Sequence, residues 1–305
     1  MKPDFAPRGV GEILDGTLAL LRARWRAVLG AAAILLLPVA VLVGTLQSFY
    51  MRGFLALIPV LEAGPDPPQE LFDLTALSTV QYAASMALLL VNAFYVSALI
   101  TALPALLHGR AMRPAELLAG GWRRLVWYVL AGITLYVALG MLSAVGLLVG
   151  VLTLGIGLLI AVPLIAWLAA RLSLVTTIAV AEQANPFTAF RRSWALTSRR
   201  ALRVVGFYLA VAVLLQVLMA AVNSPSVVRQ VVDVLMNAPA ENPFVALMRP
   251  VAPGWKLMEG LLYGAAVSLS VPVGTVAWYL FYLDLRSRRE GMDLMVRASA
   301  LEDEA

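Results

Sequence analysis

The sequence predicts an all-α, polytopic integral membrane protein with six transmembrane helices and short amphipathic interfacial helices, and three observations predict it. Of the 305 residues, 61% are hydrophobic and 13% charged, about half the charge of an ordinary soluble domain. The few charges are excluded from windows long enough to cross a bilayer, at residues 27–51, 74–107, 125–170, 204–228 and 260–283. Nineteen of the 23 lysines and arginines fall on one side of the spans these windows define, a positive-inside signature.

The N-terminal segment, 1–26, carries acidic residues and no apolar core before Arg22, so it does not read as a cleavable signal peptide. The first span, 27–51, would rise roughly 37 Å as a helix, against a hydrocarbon core of roughly 30 Å. A second span covers 79–107. The window from 125 to 170 would reach roughly 69 Å as one helix and must turn, and Gly146, Gly150, Gly155 and Gly157 mark the hairpin. It divides into helices at 125–148 and 154–181. A fifth span at 201–222 and a sixth at 258–284 complete one membrane domain over 1–305, with helices one to five inside 27–222 and a cytoplasmic tail at 285–305. Only Arg52, Arg229, Arg249 and Lys256 remain on the outer side, which places both termini in the cytoplasm. The basic pI of 9.7 is thereby explained without nucleic acid.

Pro38, Pro104, Pro163 and Pro272 lie inside spans, where neighbouring groups can satisfy the freed carbonyls and kinks are expected. In the outer loop, 223–257, Ser224 is an N-cap candidate and Pro225 suits a first helical position. Val228, Val231, Val232 and Leu235 then line one face of an expected amphipathic helix. Residues 238–254 and the stretch "EAGPDPPQE" read as irregular loops. Asn92, Gln81 and Gln216 are expected to hydrogen-bond between helices, and Gly260 and Gly264 to mark a close helix contact.

Each odd-numbered span follows a short amphipathic element and an arginine cluster. Val10, Ile13, Leu14, Thr17, Leu18 and Leu21 make a stripe before Arg22, Arg24, Trp25 and Arg26; "RPAELLAGGWRRLVWYV" precedes the third span and "NPFTAFRRSWALTSRRALRVV" the fifth. These elbows suggest three repeated hairpins, although bilayer physics alone also puts tryptophan and arginine before an inward-facing span. In the last elbow Asn185 should cap a helix beginning at Pro186, with Phe187, Phe190 and Trp194 on one face dipping into the bilayer. Together with Trp25 and Trp122 they are the expected interfacial anchors.

Cysteine is absent, which excludes disulfides, thiolate chemistry and Cys-ligated metal. There is no phosphate-binding GxxxxGK[ST] loop and no GxSxG elbow, and a lone His108 rules out HExxH. No catalytic residue, metal ligand or cofactor site is assigned, and the chain reads as non-enzymatic. Arg171 lies about ten residues inside the fourth helix, too deep for a simple flank. At the helix centre such a charge costs roughly 2.5–3.5 kcal/mol on insertion scales. It could snorkel, pair with Glu182 or Asp284, or bind an anionic head group.

The stretches "PRGVGEILDGTLALLRARWRAVL", "NPFTAFRRSWALTSRRALRVVGFYL" and "WYLFYLDLRSRREGMDL" together resemble the bacterial glycerophosphoryl diester phosphodiesterase membrane domain family. The resemblance implies a multi-helix membrane domain that in some members is fused to a catalytic barrel and in others stands alone. The catalytic part, with its metal and paired histidines, is not in this chain, and no hydrolase residue carries over.

Three functions are then open. The leading one is lipid-head-group binding, or service as a membrane-embedded partner of another protein. Anionic phospholipid would be the ligand, and Arg171, Arg191, Arg192, Arg199 and Arg200 the candidate binding residues. The alternative is a transporter or permease subunit using a polar site around Arg171. An intramembrane enzyme is the third, with no pair of carboxylates or histidines to carry it.

Overall fold

The structure, a computed structural model, describes residues 9–63, 69–198, 200–237 and 253–290, with side chains for all of these except 51–63, 69–73, 233, 234, 237 and 253. Among the described residues there are only helices: α1 (Val10–Ala63), α2 (Gln69–Leu107), α3 (Pro114–Ala119), α4 (Trp122–Leu152), α5 (Leu158–Leu172), α6 (Val175–Glu182), α7 (Pro186–Thr197), α8 (Ala201–Asn237) and α9 (Pro253–Glu290). Among the described residues six segments are long and apolar enough to cross a membrane: Val10–Tyr50, Leu74–Leu107, Trp122–Leu152, Leu158–Glu182, Ala201–Val232 and Gly254–Glu290. The chain is an all-α, polytopic membrane protein, as its charge-free windows predict.

Helix boundaries follow local chemistry. The Gly9 N–H donates to the Glu12 carboxylate at 2.6 Å where α1 begins, and Thr17 Oγ1 donates back to the Ile13 carbonyl. The first elbow is continuous with its span, interrupted only where Arg24 leaves helical geometry (φ −123°, ψ 22°). Between α4 and α5, Gly155 takes φ +92°, a left-handed conformation that glycine adopts without cost, and its N–H bonds the Gly150 carbonyl at 2.7 Å. A Cβ on Gly150 would come within 2.5 Å of Leu158, so the two arms of this hairpin meet at backbone distance. The α5–α6 span breaks once, near Ser173, whose hydroxyl donates to the Ala170 carbonyl.

Pro38, Pro104, Pro163 and Pro272 all lie within helices and none ends its helix. Pro225 likewise fails to start a new one. The separate amphipathic helix expected after Ser224 is instead the last part of α8, which runs unbroken to Asn237. The physical reason is visible: a proline at 225 orphans the carbonyl four residues back, and Ser224 Oγ donates to that Ala221 carbonyl at 2.8 Å. Val228, Val231, Val232 and Leu235 are exposed, so the expected apolar face exists on a continuous helix. The loops expected at 62–70 and 238–254 lie mostly outside the described residues, although α1 and α2 extend into the edges of the first and α9 begins within the second. The tail beyond residue 290 lies wholly outside them.

The chain divides into two compact units, one comprising Met1–Val28, Ala93–Leu214 and Pro272–Ala305 and the other Leu29–Asn92 and Leu215–Val271. In the first, Tyr95 donates to the Val28 carbonyl at 2.9 Å and Ser97 to the Gly121 carbonyl at 2.7 Å. A Cβ on Gly121 would lie 2.7 Å from that of Ala98, which is why α2 and the start of α4 can approach so closely. Phe207 and Phe281 stack with centroids 3.9 Å apart, and Trp278 meets Phe207 edge-on. In the second unit, Gly260 and Gly264 press on α1: a Cβ at Gly260 would lie 2.7 Å from the Val41 carbonyl, and one at Gly264 would lie 2.5 Å from Val41 Cγ2. This is the close contact expected of them. Gln81 bonds Gln47 at 2.9 Å, as expected of an intramembrane amide. Asn92 and Gln216 depart from that expectation, for neither side chain has a hydrogen-bond partner among the described residues. Gln216 is exposed on α8, and the Asn92 Oδ1 is buried without a donor.

Candidate functional site

The site is built on α5, α6 and α7, all in the first unit. Asn185 caps α7 by accepting the Thr188 N–H at 2.8 Å, and Pro186 occupies the first turn, where its missing N–H is harmless. Ser193 and Thr197, four residues apart and hence on one face, are both fully buried against the end of α5. Ser193 Oγ donates to the Arg171 carbonyl at 2.7 Å, and Thr197 Oγ1 reaches it at 3.5 Å. A carbonyl in the last turn of a helix has no intrahelical partner, so α7 supplies one and is fixed in position by doing so.

That docking sets Trp194 over Arg171. The guanidinium carbon lies 4.0 Å from the Trp194 ring centroid and 4.9 Å from that of Trp167, and the two indoles meet edge-to-face at 87°. Arg171 is only 8% exposed, its Nε is buried without an acceptor, and among the described residues its side chain makes no ion pair or hydrogen bond. Neither expected partner serves it. Glu182 accepts from Arg192 Nε at 3.0 and 3.1 Å and from Tyr282 at 2.7 Å, while Asp284 holds Arg203 and Arg288, each at 2.9 Å.

The arginine cluster therefore divides. Arg192 is engaged in the fold: it bridges Glu182 on α6 and Glu290 on α9. Burial tends to lower its pKa, but the hydrogen bonds and charges of Glu182 and Glu290 win and hold it above the ordinary arginine value. Arg289 donates to the Ser198 hydroxyl, a further tie between α9 and the end of α7. Arg191 and Arg200 are exposed and make no side-chain pair among the described residues. Arg199 lies outside the described residues.

Beside Trp194 runs a groove of about 530 Å³ lined by Leu172, Phe190, Arg191, Trp194 and Ala195. Arg171 borders it twice, through its chain neighbour Leu172 and through the indole on which its guanidinium rests. The expected anchors face outward: Phe187 is 77% and Trp122 74% exposed, with Trp25 and Trp194 also exposed and Phe190 half-buried in the groove wall. Sequence reasoning singled out Arg171, Arg191, Phe190 and Trp194 but missed Trp167, which shares a helix face with Arg171 at a spacing of four. It also missed Ser193 and Thr197, whose spacing of four was the available signal.

His108 sits at the end of α2 with Nδ1 2.7 Å from the Pro104 carbonyl, a helix-terminus contact. Among the described residues no three His, Cys, Asp or Glu side chains converge as metal ligands. No family model matches the chain, and no curated protein and no solved structure matches it either. Fold and composition define a multi-pass membrane protein, and its role is argued from the site alone.

Proposed function

We propose that the protein is a non-enzymatic component of the bacterial cytoplasmic membrane, both termini inside, that binds anionic phospholipid head groups at the α7 elbow. One observation carries this reading: among the described residues Arg171 is a buried cation without an anion, and Glu182, Glu290 and Asp284 are held by other arginines. Two cation–π contacts contribute about 2 kcal/mol or more each when desolvated. Withdrawing a charge from water costs several kcal/mol even after relaxation, and the indoles supply no counter-charge, which an external anion would. Arg191 and Arg200 add exposed charge on the same elbow, each worth about 1 kcal/mol near an anionic surface. The indoles around Arg171 and the largely apolar groove support capture of a head group over a polar translocation route.

The family resemblance belongs to the same proposal. Its three segments fall almost wholly within the first unit, and two of them are joined there by the Arg192–Glu290 pair. The test is the phospholipid content of the purified full chain. Arg171→Gln and Arg191→Gln should each lower the ratio of anionic to zwitterionic lipid retained, and Arg192→Gln should lower it less. An unchanged ratio in both of the first two variants would sink the reading.

A further inference from the structure

Resting on the reading just given, we infer that the groove beside Trp194 is a one-to-one site for an anionic phospholipid whose head group carries no amine. The lining decides the class. Leu172, Phe190, Trp194 and Ala195 are apolar and Arg191 is cationic, so the occupant must join one negative group to an apolar body. No carboxylate lines the groove, and the nearest acid on the adjoining helices, Glu182, is held by Arg192 and Tyr282. A head-group ammonium would thus find no counter-charge. The indole that could hold it by cation–π attraction already carries the Arg171 guanidinium at 4.0 Å. An amine brought to that surface would meet two arginines as like charges.

Arg171 and Arg191 divide the work. Arg191 is exposed and can meet the phosphate directly, whereas Arg171 is fixed behind Trp194 and supplies a positive field that water screens poorly. Trp194 is a positioning residue, since its ring both seats Arg171 and walls the groove. The groove volume lies within the range of small-molecule sites, enough for a head group and the first part of its chains.

The experiment uses the full chain, delipidated in detergent. It is titrated with phosphatidylglycerol, phosphatidylethanolamine, phosphatidylcholine, inorganic phosphate and glycerol 3-phosphate. Stoichiometry is read by native mass spectrometry, and binding by the Trp194-dependent part of the indole emission, taken as the difference from Trp194→Phe. We expect one phosphatidylglycerol per chain, preferred about tenfold or more over both zwitterionic lipids. Each arginine contributes about a fivefold share of that preference. Arg171→Gln and Arg191→Gln should each cut it accordingly, and Arg171→Lys, which keeps the charge but not the planar stack, should retain part of it. Inorganic phosphate and glycerol 3-phosphate should compete weakly, because they leave the apolar wall uncovered. Competition by free phosphate as strong as by lipid would make this a soluble-anion site and overturn the inference.

Anionic lipid that binds with no preference over phosphatidylethanolamine, or in many copies per chain, overturns the one-to-one selective site and leaves elbow lipid binding intact. Absence of any arginine-dependent lipid binding overturns both. If Arg171→Gln does not fold, Arg191→Gln alone decides, for its side chain is exposed and, among the described residues, makes no pair: an unchanged preference in that variant refutes the site.

Discussion

Arg191 and Arg192 are neighbours of identical chemistry with opposite surroundings, and replacing each by glutamine should separate stability from binding. Arg192 Nε bonds both oxygens of Glu182 at 3.0 and 3.1 Å, and its Nη2 meets Glu290. The three side chains are about one-fifth to one-third exposed, so solvent screens the pairs in part. Exposed pairs are worth about 0.2–1 kcal/mol each. Glutamine would also leave Glu182 without a cation, with only the Tyr282 hydroxyl donating to it, while Glu290 keeps Arg286. The sum is about 2 kcal/mol lost, or roughly 4 °C in melting temperature at the scale of a large domain. Arg191→Gln removes an exposed side chain and should cost no more than about 0.5 kcal/mol. Thermal unfolding in detergent followed by tryptophan emission measures both, and lipid content is read on the same samples. Equal destabilisation by the two variants, or greater lipid loss from Arg192→Gln, would refute the division of the cluster.

Further substitutions test the packing. Gly264→Leu should destabilise by about 2 kcal/mol or more, since even a Cβ would lie 3.0 Å from the Val41 backbone nitrogen. Gly132→Ala and Gly140→Ala, which meet nothing within 4 Å, should be neutral or stabilising on the same melting assay. Ser224→Ala should cost about 1 kcal/mol by orphaning the Ala221 carbonyl, and the double variant with Pro225→Ala should recover it. A Ser224→Ala loss that persists in the Pro225→Ala background would refute the compensation argument. Asn185→Ala should cost about 1 kcal/mol through the lost α7 cap and, by loosening Trp194, weaken lipid retention as well; full retention would show that the remaining ties of α7, through Ser193, Thr197 and Arg192, hold Trp194 without the cap.

Long-range order in the chain was legible where one physical term dominates. Exclusion of charge from the bilayer located all six spans, and the capping signal at Asn185 and Pro186 located α7, because neither depends on which residues meet across the fold. The helix after Ser224 was misread at Pro225 because the proline signal is strong and the remedy, one serine hydroxyl, is carried by the residue also read as a cap. The site was half legible. A deep arginine is conspicuous in any sequence, yet its partners depend on tertiary choice: Glu182 was named for Arg171 but sits opposite Arg192, ten residues away on the next helix. Asn92 and Gln216 fail for a related reason, since periodicity does not say which face of a span meets protein and which meets lipid.

That last question bears on the kind of ligand the groove can receive. In their most apolar windows the first, second and sixth spans are 44%, 50% and 56% buried within the protein, while the third, fourth and fifth are only 11%, 22% and 17% buried. The α4–α5 hairpin thus turns most of its apolar surface outward, with Leu159, Ile160, Val162 and Leu164 exposed along α5. In a bilayer such a surface is covered by acyl chains, which satisfy it as well as protein would. Arg171 stands at the end of this helix, where the apolar track meets the α7 elbow and its groove. An occupant arriving along α5 keeps its chains in hydrocarbon throughout and brings only its head group to Arg191. A soluble anion would have to enter the same place without that apolar contact, and for this reason we propose a membrane lipid as the ligand over a soluble anion.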